Sequence, residues 1–269
     1  MPAHKGLSTG WVRVHVQPNS VGPQLDAQPN PAELQTGRGS ELVRYNDALV
    51  SMRVSEDQAV LYSREGKMIQ TVIFDLDGVV VFPWRFAQYL EREHGITRSA
   101  TRDFFGGPFI ACLRGEEDVK DVLPPFLKQW KWTDSVDDFV RHWLETENCP
   151  DPELMELIQL LRRNGWTCGL GTNQERYRAQ FIRKTMSFES LFDHLFISCE
   201  MGCMKPELKY FHTAREWLGC PAESILFIDN EQHYIDAAKS AGWNAKLYVS
   251  FDDLFDDTDE FFFTRGYRD

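Results

Sequence analysis

The sequence predicts an α/β fold built on a parallel sheet, with a helical segment inserted near its start. Three observations predict it. From Asp151 onward, short apolar runs alternate with amphipathic stretches of helical spacing, the pattern of strands joined by helices. Ahead of that alternation, residues 84–148 carry only helical patterns. Before both lies one apolar, β-branched run, "TVIFDLDGVV" at 71–80, which reads as a buried strand except that Asp75 and Asp77 interrupt it and Gly78 follows. An unpaired buried carboxylate is costly and two neighbours repel, so this strand end demands an explanation from the rest of the chain.

The elements follow in order. "QTVIFD" is the first core strand, with a turn signal behind it. "PWRFAQYLEREHG" has Pro83 at its start and Gly95 at its end, the entry and exit signals of a helix. "EEDVKDVLPPFLKQW" and "SVDDFVRHWLETE" are also helical, with Pro124 and Pro125 breaking or kinking the former. "DPELMELIQLLRRNG" is an amphipathic helix capped by Asp151 and stopped by Gly165. Then come the strand "WTCGLGTN", the helix "QERYRAQFIRKTM" and the strand "HLFIS". "PELKYFHTAREWLG" is a helix begun by Pro206, "SILFIDN" a strand, "EQHYIDAAKSAG" a helix and "NAKLYVS" a last strand. The acidic, aromatic "FDDLFDDTDEFFF" reads either as a short helix packed over the sheet edge, the reading its apolar content favours, or as a partner-binding tail.

Residues 1–67 differ. They are rich in Pro, Gly, Gln and Asn, lack sustained periodicity, and balance seven basic against seven acidic residues. That composition predicts a disordered extension, and Met68, just before the first core strand, is a candidate natural start. Within the extension "ALVSMRVSEDQAVLYSR" has the pattern of a short strand or helix. The expected organisation is therefore an extension at 1–67, an α/β core from 68–83 and 151–269, and a helical domain at 84–150.

Composition narrows the function classes. The net charge of −12 and the absence of a basic patch argue against a nucleic-acid partner. No apolar run has the length of a membrane span, and the N-terminus lacks the apolar core of a signal peptide. The six cysteines form no CxxC pair, which fits reduced thiols in a cytoplasmic protein better than a metal or disulfide framework. An acidic chain still holds an anionic substrate if its site supplies a lysine or a metal.

In open parallel sheets, ligands bind beyond the carboxyl ends of the strands. There the sequence puts Asp75, Asp77 and Gly78 after one strand, Thr172 and Asn173 after another, and Asp229 and Asn230 after a third. Lys205 lies in "GCMKP", just before a helix. A hard divalent cation with oxygen ligands would offset the repulsion of the converging acids, and the lysine would add a second positive charge. Read locally, Asp-Gly is only a turn signal, and Thr172-Asn173 only a helix cap, although a helix start is also a phosphate site. Lys209 is a fallback for Lys205, and His233 near Asp229 reads as structural or exposed.

"FDLDGVV", "GLGTNQ", "KPELKYF" and "FIDNEQHYIDAA" resemble, in order, the four motifs of the haloacid dehalogenase (HAD) superfamily, and the resemblance covers nearly all of 68–269. It implies a Rossmann-like core with an inserted cap, here the helical cap of the first subfamily. It implies that Asp75 is the nucleophile, forming an aspartyl-phosphate, and that Asp77 is the general acid and base. Mg²⁺ would be held by Asp75, the Asp77 main-chain carbonyl and Asp229, with Asn230 beside these ligands. Thr172, Asn173 and the backbone around Gly78 would bind the phosphoryl oxygens, and Lys205 would pair with the Asp75 carboxylate and the phosphate.

The dehalogenases that name the superfamily lack an aspartate at the position of Asp77, so the resemblance favours phosphoryl transfer over carbon–halogen cleavage. Two departures stand out: Asn230 replaces a second acid, and Tyr234 replaces an asparagine. The implied function is a phosphatase of small phosphorylated metabolites, such as sugar phosphates or phosphoglycolate-like compounds, working as a monomer or homodimer. The alternatives are a phosphoglucomutase-like phosphomutase and a low-turnover binding or regulatory protein on the same fold. Arg85, Arg114, His142 and the tryptophans of the helical segment are candidates for substrate contact.

Overall fold

The computed structural model describes residues 41–45, 48–52, 59–63, 69–82, 85–256 and 259–265. Three strands precede the core: β1 (Glu41–Tyr45), β2 (Ala48–Met52) and β3 (Ala59–Ser63). β1 and β2 form an antiparallel pair with Val43 opposite Val50. Apolar residues in "ELVRY" and "ALVSM" supply strand propensity that the composition of 1–67 as a whole concealed. The rest of 1–67 lies outside the described residues.

Five strands make the central sheet, in the order β6 (His194–Ile197), β5 (Thr167–Thr172), β4 (Thr71–Phe74), β7 (Ile225–Asp229) and β8 (Asn244–Leu247). All four neighbouring pairs are parallel. β4 is central. The chain builds outward from it to β5 and β6, then returns to its other side for β7 and β8. The order reverses beside β4, which is where such sheets open a crevice. Phe74 is in register with Leu170 of β5 and Ile228 of β7, so the next residue of each strand leaves at the same level. β4 and β7 are buried along their whole length, as continuous apolar runs covered on both faces require.

Helices between the strands cover the sheet: α7 (Pro152–Arg163), α8 (Arg176–Lys184), α9 (Phe188–Leu191), α10 (Ser198–Met201), α11 (Leu208–Leu218) and α12 (Gln232–Ser240), preceded in the chain by α1–α6 below. Asp151 caps α7, its Oδ1 accepting from the amides of Glu153 at 2.9 Å and Leu154 at 3.3 Å, with Pro152 behind it. Burial of Leu154, Leu157, Ile158 and Leu161 follows from their helical spacing. Under α11 and α12, Tyr210, Phe211, Phe227, Ile235 and Trp243 form one apolar cluster.

The segment between β4 and α7 is helical, as expected: α1 (Arg85–His94), α2 (Arg98–Phe105), α3 (Phe109–Leu113), α4 (Val119–Val122), α5 (Pro124–Gln129) and α6 (Val136–Thr146). Gly95, at φ +65°, follows α1, and Pro124 starts a new helix instead of continuing α4. The helix-entry signal at Pro83 and the neighbouring Trp84 lie outside the described residues. This insert has its own core of Phe86, Leu90, Phe104, Leu127, Trp130 and Phe139.

After β8 the chain departs from expectation. Only a short 3₁₀ turn forms at Asp252–Phe255, and "FFFTR" is strand β9 (Phe261–Arg265), paired with β3 in a two-stranded sheet. Phe261 and Phe263, two positions apart, are both buried, the spacing of one face of a strand. Among the described residues no helix is long and apolar enough to cross a membrane.

Phe104 is fully buried, with its ring centroid 5.1–5.8 Å from those of Phe105, Phe109, Phe126 and Trp130. Phe104→Ala is expected to cost about 3–5 kcal/mol in the unfolding transition that contains the insert. Urea denaturation followed by tryptophan fluorescence measures this, and an unshifted midpoint would refute it.

Candidate active site

The site begins where β4 ends. The Asp75 amide donates to Ile228 O at 2.8 Å, which extends the pairing with β7 by one residue before the chain turns away. The turn is closed by Val81 N–H donating to Leu76 O and Gly78 N–H donating to Val81 O, each 2.8 Å. Gly78 has φ +91°, and a Cβ there would lie 2.6 Å from Asn230 Nδ2, so only glycine suits both backbone and space. This corrects the expectation that Gly78 itself binds phosphate: its amide already has an acceptor. The amides of Leu76 and Asp77 donate to no carbonyl among the described backbone bonds.

Lys205 is 1% exposed and sits between two carboxylates, its Nζ donating to Asp75 Oδ1 at 2.7 Å and to Asp229 Oδ2 at 2.6 Å. The ammonium also lies 4.7 Å from the centroid of the Tyr234 ring. Burial opposes the charge on Lys205, but Asp75 and Asp229 outweigh it and hold its pKa above that of an ordinary lysine. Burial pushes the Asp75 carboxyl up to about 7; Lys205 pulls it down, and the negative charges of Asp229 and Asp77 add to the rise.

Asn173, expected from sequence to bind the phosphoryl group, lines the site's cavity, and its carboxamide is also bonded to the protein. Its Oδ1 accepts from Lys205 N–H at 2.9 Å, and its Nδ2 donates to Lys205 O at 2.9 Å and to the Tyr234 hydroxyl at 3.3 Å. The carboxamide is a two-sided clamp on the lysine backbone. Tyr234, the unexplained departure in the fourth motif, thereby has a role: it supports the clamp and faces the ammonium. Thr172, 1% exposed at the end of β5, accepts from Gln174 Nε2 at 3.0 Å and keeps its own hydroxyl proton to donate into the cavity.

Asp77 is set apart from the buried cluster. Its side chain is 44% exposed, against 8% for Asp75. Gln174 Nε2 donates to its Oδ2 at 2.5 Å, and the Arg178 guanidinium stands 3.6 Å from its Oδ1. Sequence reasoning missed both partners. Gln174 follows Thr172-Asn173 directly, and its buried, polar position was the signal available. Arg178 of α8 is 3% exposed and donates to the carbonyls of Leu144 at 3.4 Å and Glu147 at 3.2 Å, beside the C-terminal end of α6.

Whether these residues suit a divalent cation follows from charge and from one orphaned atom. Asp75, Asp229 and Lys205 leave a buried excess of one negative charge, which a cation would neutralise. Asn230 Oδ1 is buried with no hydrogen-bond partner among the described residues. No group of three His, Cys, Asp or Glu side chains is disposed to hold a metal among the described residues, so the donors must include main-chain and amide oxygens. Asp75, Asp229, the Asp77 carbonyl and Asn230 Oδ1 are all oxygen donors, the set a hard cation takes. They fit.

Asp75, Asp77, Thr172, Asn173, Lys205 and Asn230 line one side of a cavity of about 870 Å³, with Phe86, Leu90, Phe105, Phe109 and Trp143 of the insert on the other; Asp229 lies behind Lys205 and is not among the lining residues. Arg114 is not among the lining residues; it pairs with Glu207 at 2.6 Å. His142 stacks on Tyr89 instead, and the Arg85 side chain lies outside the described residues. Lys209 is exposed on α11, and His233 is 57% exposed beside Glu231.

The chain resembles known proteins in sequence and in fold. A haloacid dehalogenase-like hydrolase model matches residues 69–242. A phosphatase of Mycobacterium tuberculosis is 23% identical over 188 residues, spanning 66% of this chain and 87% of the relative. A HAD family enzyme of Bacteroides thetaiotaomicron, solved with magnesium and inorganic phosphate, superposes with TM-score 0.59 at 18% identity, over 70% of this chain and 99% of that one. The L-2-haloacid dehalogenase of Xanthobacter autotrophicus superposes with TM-score 0.53 at 17% identity, over 70% and 81%. At these identities the solved structures speak for the fold, and the family model, covering more than half the sequence, speaks for descent. The α/β sheet with its reversal at β4, the acids at its strand ends and the matched family model agree: the chain belongs to the haloacid dehalogenase-like hydrolases.

Proposed function

We propose that the protein is a Mg²⁺-dependent phosphatase acting on small phosphate monoesters. One observation carries the reading: a buried carboxylate bound to a lysine, Asp75–Lys205, shares a cavity with a second, half-exposed carboxylate, Asp77, that has its own partners. Two acids in such different surroundings suit two different roles. The phosphatase among the relatives and the magnesium and phosphate bound to a neighbour of the same fold support it.

In this reading an Asp75 carboxylate oxygen attacks phosphorus in line with the ester oxygen, and Asp77 donates a proton to that oxygen as it leaves. The product on the enzyme is an aspartyl-phosphate. Asp77, now a carboxylate, takes a proton from water, and the attack of that water on phosphorus releases phosphate and restores Asp75. Lys205 stays protonated and neutralises the phosphoryl oxygens as a fixed point charge. Thr172 and the amides of Leu76 and Asp77 donate to the same oxygens. Gln174 and Arg178 orient Asp77. Asp75, Asp229, the Asp77 carbonyl and Asn230 would hold Mg²⁺, which would supply further neutralisation of the transferring group when bound. The helical insert serves as a cap that keeps bulk water from the site.

Phosphate release from p-nitrophenyl phosphate tests the reading. Asp75→Asn is expected to abolish it, and Asp77→Asn to lower kcat by about 10²–10⁴-fold, the range of a lost general acid and base. EDTA removes activity and excess Mg²⁺ restores it. Activity that survives in Asp75→Asn would overturn the mechanism. Lys205→Met leaves Asp75 and Asp229 buried without their cation, so in EDTA it is expected to cost roughly 3–5 kcal/mol of stability. Urea denaturation measures this, and wild-type stability would show that the lysine is not the counter-charge.

A further inference from the structure

The cavity has two unlike halves. The half at the strand ends is polar and charged. The opposite half, where the alcohol portion of a phosphate ester would lie, is built by the insert from hydrocarbon. Phe86, Leu90 and Phe109 are buried, and Phe105 and Trp143 are half-buried beside them. Their rings form one connected wall: Trp143 stacks on Phe86 at 6.0 Å, and Phe105 meets Trp143 at 5.6 Å and Phe109 at 5.2 Å.

The polar groups on this side are turned toward the protein itself. Glu147 Oε1 accepts from the Phe86 amide at 3.0 Å, and the Thr101 hydroxyl donates to Arg98 O at 3.2 Å. Arg98 and Arg102 also line the cavity and are exposed, and as cations they add donors but no acceptors. A sugar carries a hydroxyl on nearly every carbon, each needing both donors and acceptors at fixed positions once water is excluded. This wall offers almost no acceptors. It offers instead a dry aromatic face that gains from every buried methylene.

Resting on the phosphatase reading, we propose that the substrate is the phosphate monoester of an apolar alcohol, with a hydrocarbon chain or flat ring against Phe105 and Trp143, and not a sugar phosphate. The volume of about 870 Å³ leaves room for such a group beyond the phosphoryl position.

The test compares phosphate release from ethyl, butyl and hexyl phosphate with release from glucose 6-phosphate, in the full chain with Mg²⁺. The expected result is a rise in kcat/KM of about threefold to fourfold per methylene, mostly through KM, with glucose 6-phosphate below butyl phosphate. In Phe105→Ala the rise with chain length flattens. A flat alkyl series in the wild type, or a preference for glucose 6-phosphate, overturns this inference and leaves the phosphatase reading standing. No phosphate from any of these esters or from p-nitrophenyl phosphate overturns both.

Discussion

Lys205 is an ammonium group at 1% exposure, and the active end of the sheet is organised around keeping it charged there. An isolated buried cation is prohibitively costly, so the lysine requires carboxylates within contact distance. Asp75 and Asp229 supply them from two neighbouring strands, and each is buried because the lysine is there to meet it. The arrangement is reciprocal, and it depends on the sheet register. Because β4 and β7 are paired with Phe74 opposite Ile228, the two acids emerge side by side. A slip of one residue would turn one of them to the other face.

The cluster then constrains its surroundings. Asn173 grips the backbone of Lys205 from both sides, Tyr234 braces that grip, and Gly78 gives way to let Asn230 approach. Each of these residues comes from a different strand end or helix start, so the site ties the sheet's carboxyl edge together. The lysine leaves one negative charge in excess, and the orphaned Asn230 oxygen points to the same need for a cation. Burial raises the pKa of Asp75 to about 7 against the pull of Lys205, and the charges of Asp229 and Asp77 add to the rise.

The insert contributes in a different way. Its own aromatic core makes it self-supporting, and the face it turns to the cavity is the same kind of surface as its interior. Arg178 links it to the chemistry, holding the carbonyls of Leu144 and Glu147 while standing 3.6 Å from Asp77. Asp77 is thus positioned by the core and the insert jointly, whereas Asp75 is positioned by the core alone.

What the sequence by itself determined is the local and the periodic. The alternation of apolar runs and amphipathic helices specified the parallel sheet, Asp151 and Pro124 marked helix starts, and the order of the motifs carried the family and the identities of Asp75, Asp77, Thr172, Lys205 and Asp229. These are legible because each rests on spacing along one element or on residues adjacent in the chain. The tertiary structure alone decided how those residues are used. The resemblance implied that Lys205 pairs with Asp75, 130 positions away, but nothing in either local stretch tells that Asp229 meets the same ammonium. The clamp of Asn173, the positioning of Asp77 by Gln174 and Arg178, the strand that "FFFTR" forms with β3, and the apolar half of the cavity were equally illegible. A side chain's partner, unlike its periodicity, is set by which distant element packs beside it, and that is fixed only when the whole sheet and its insert have closed.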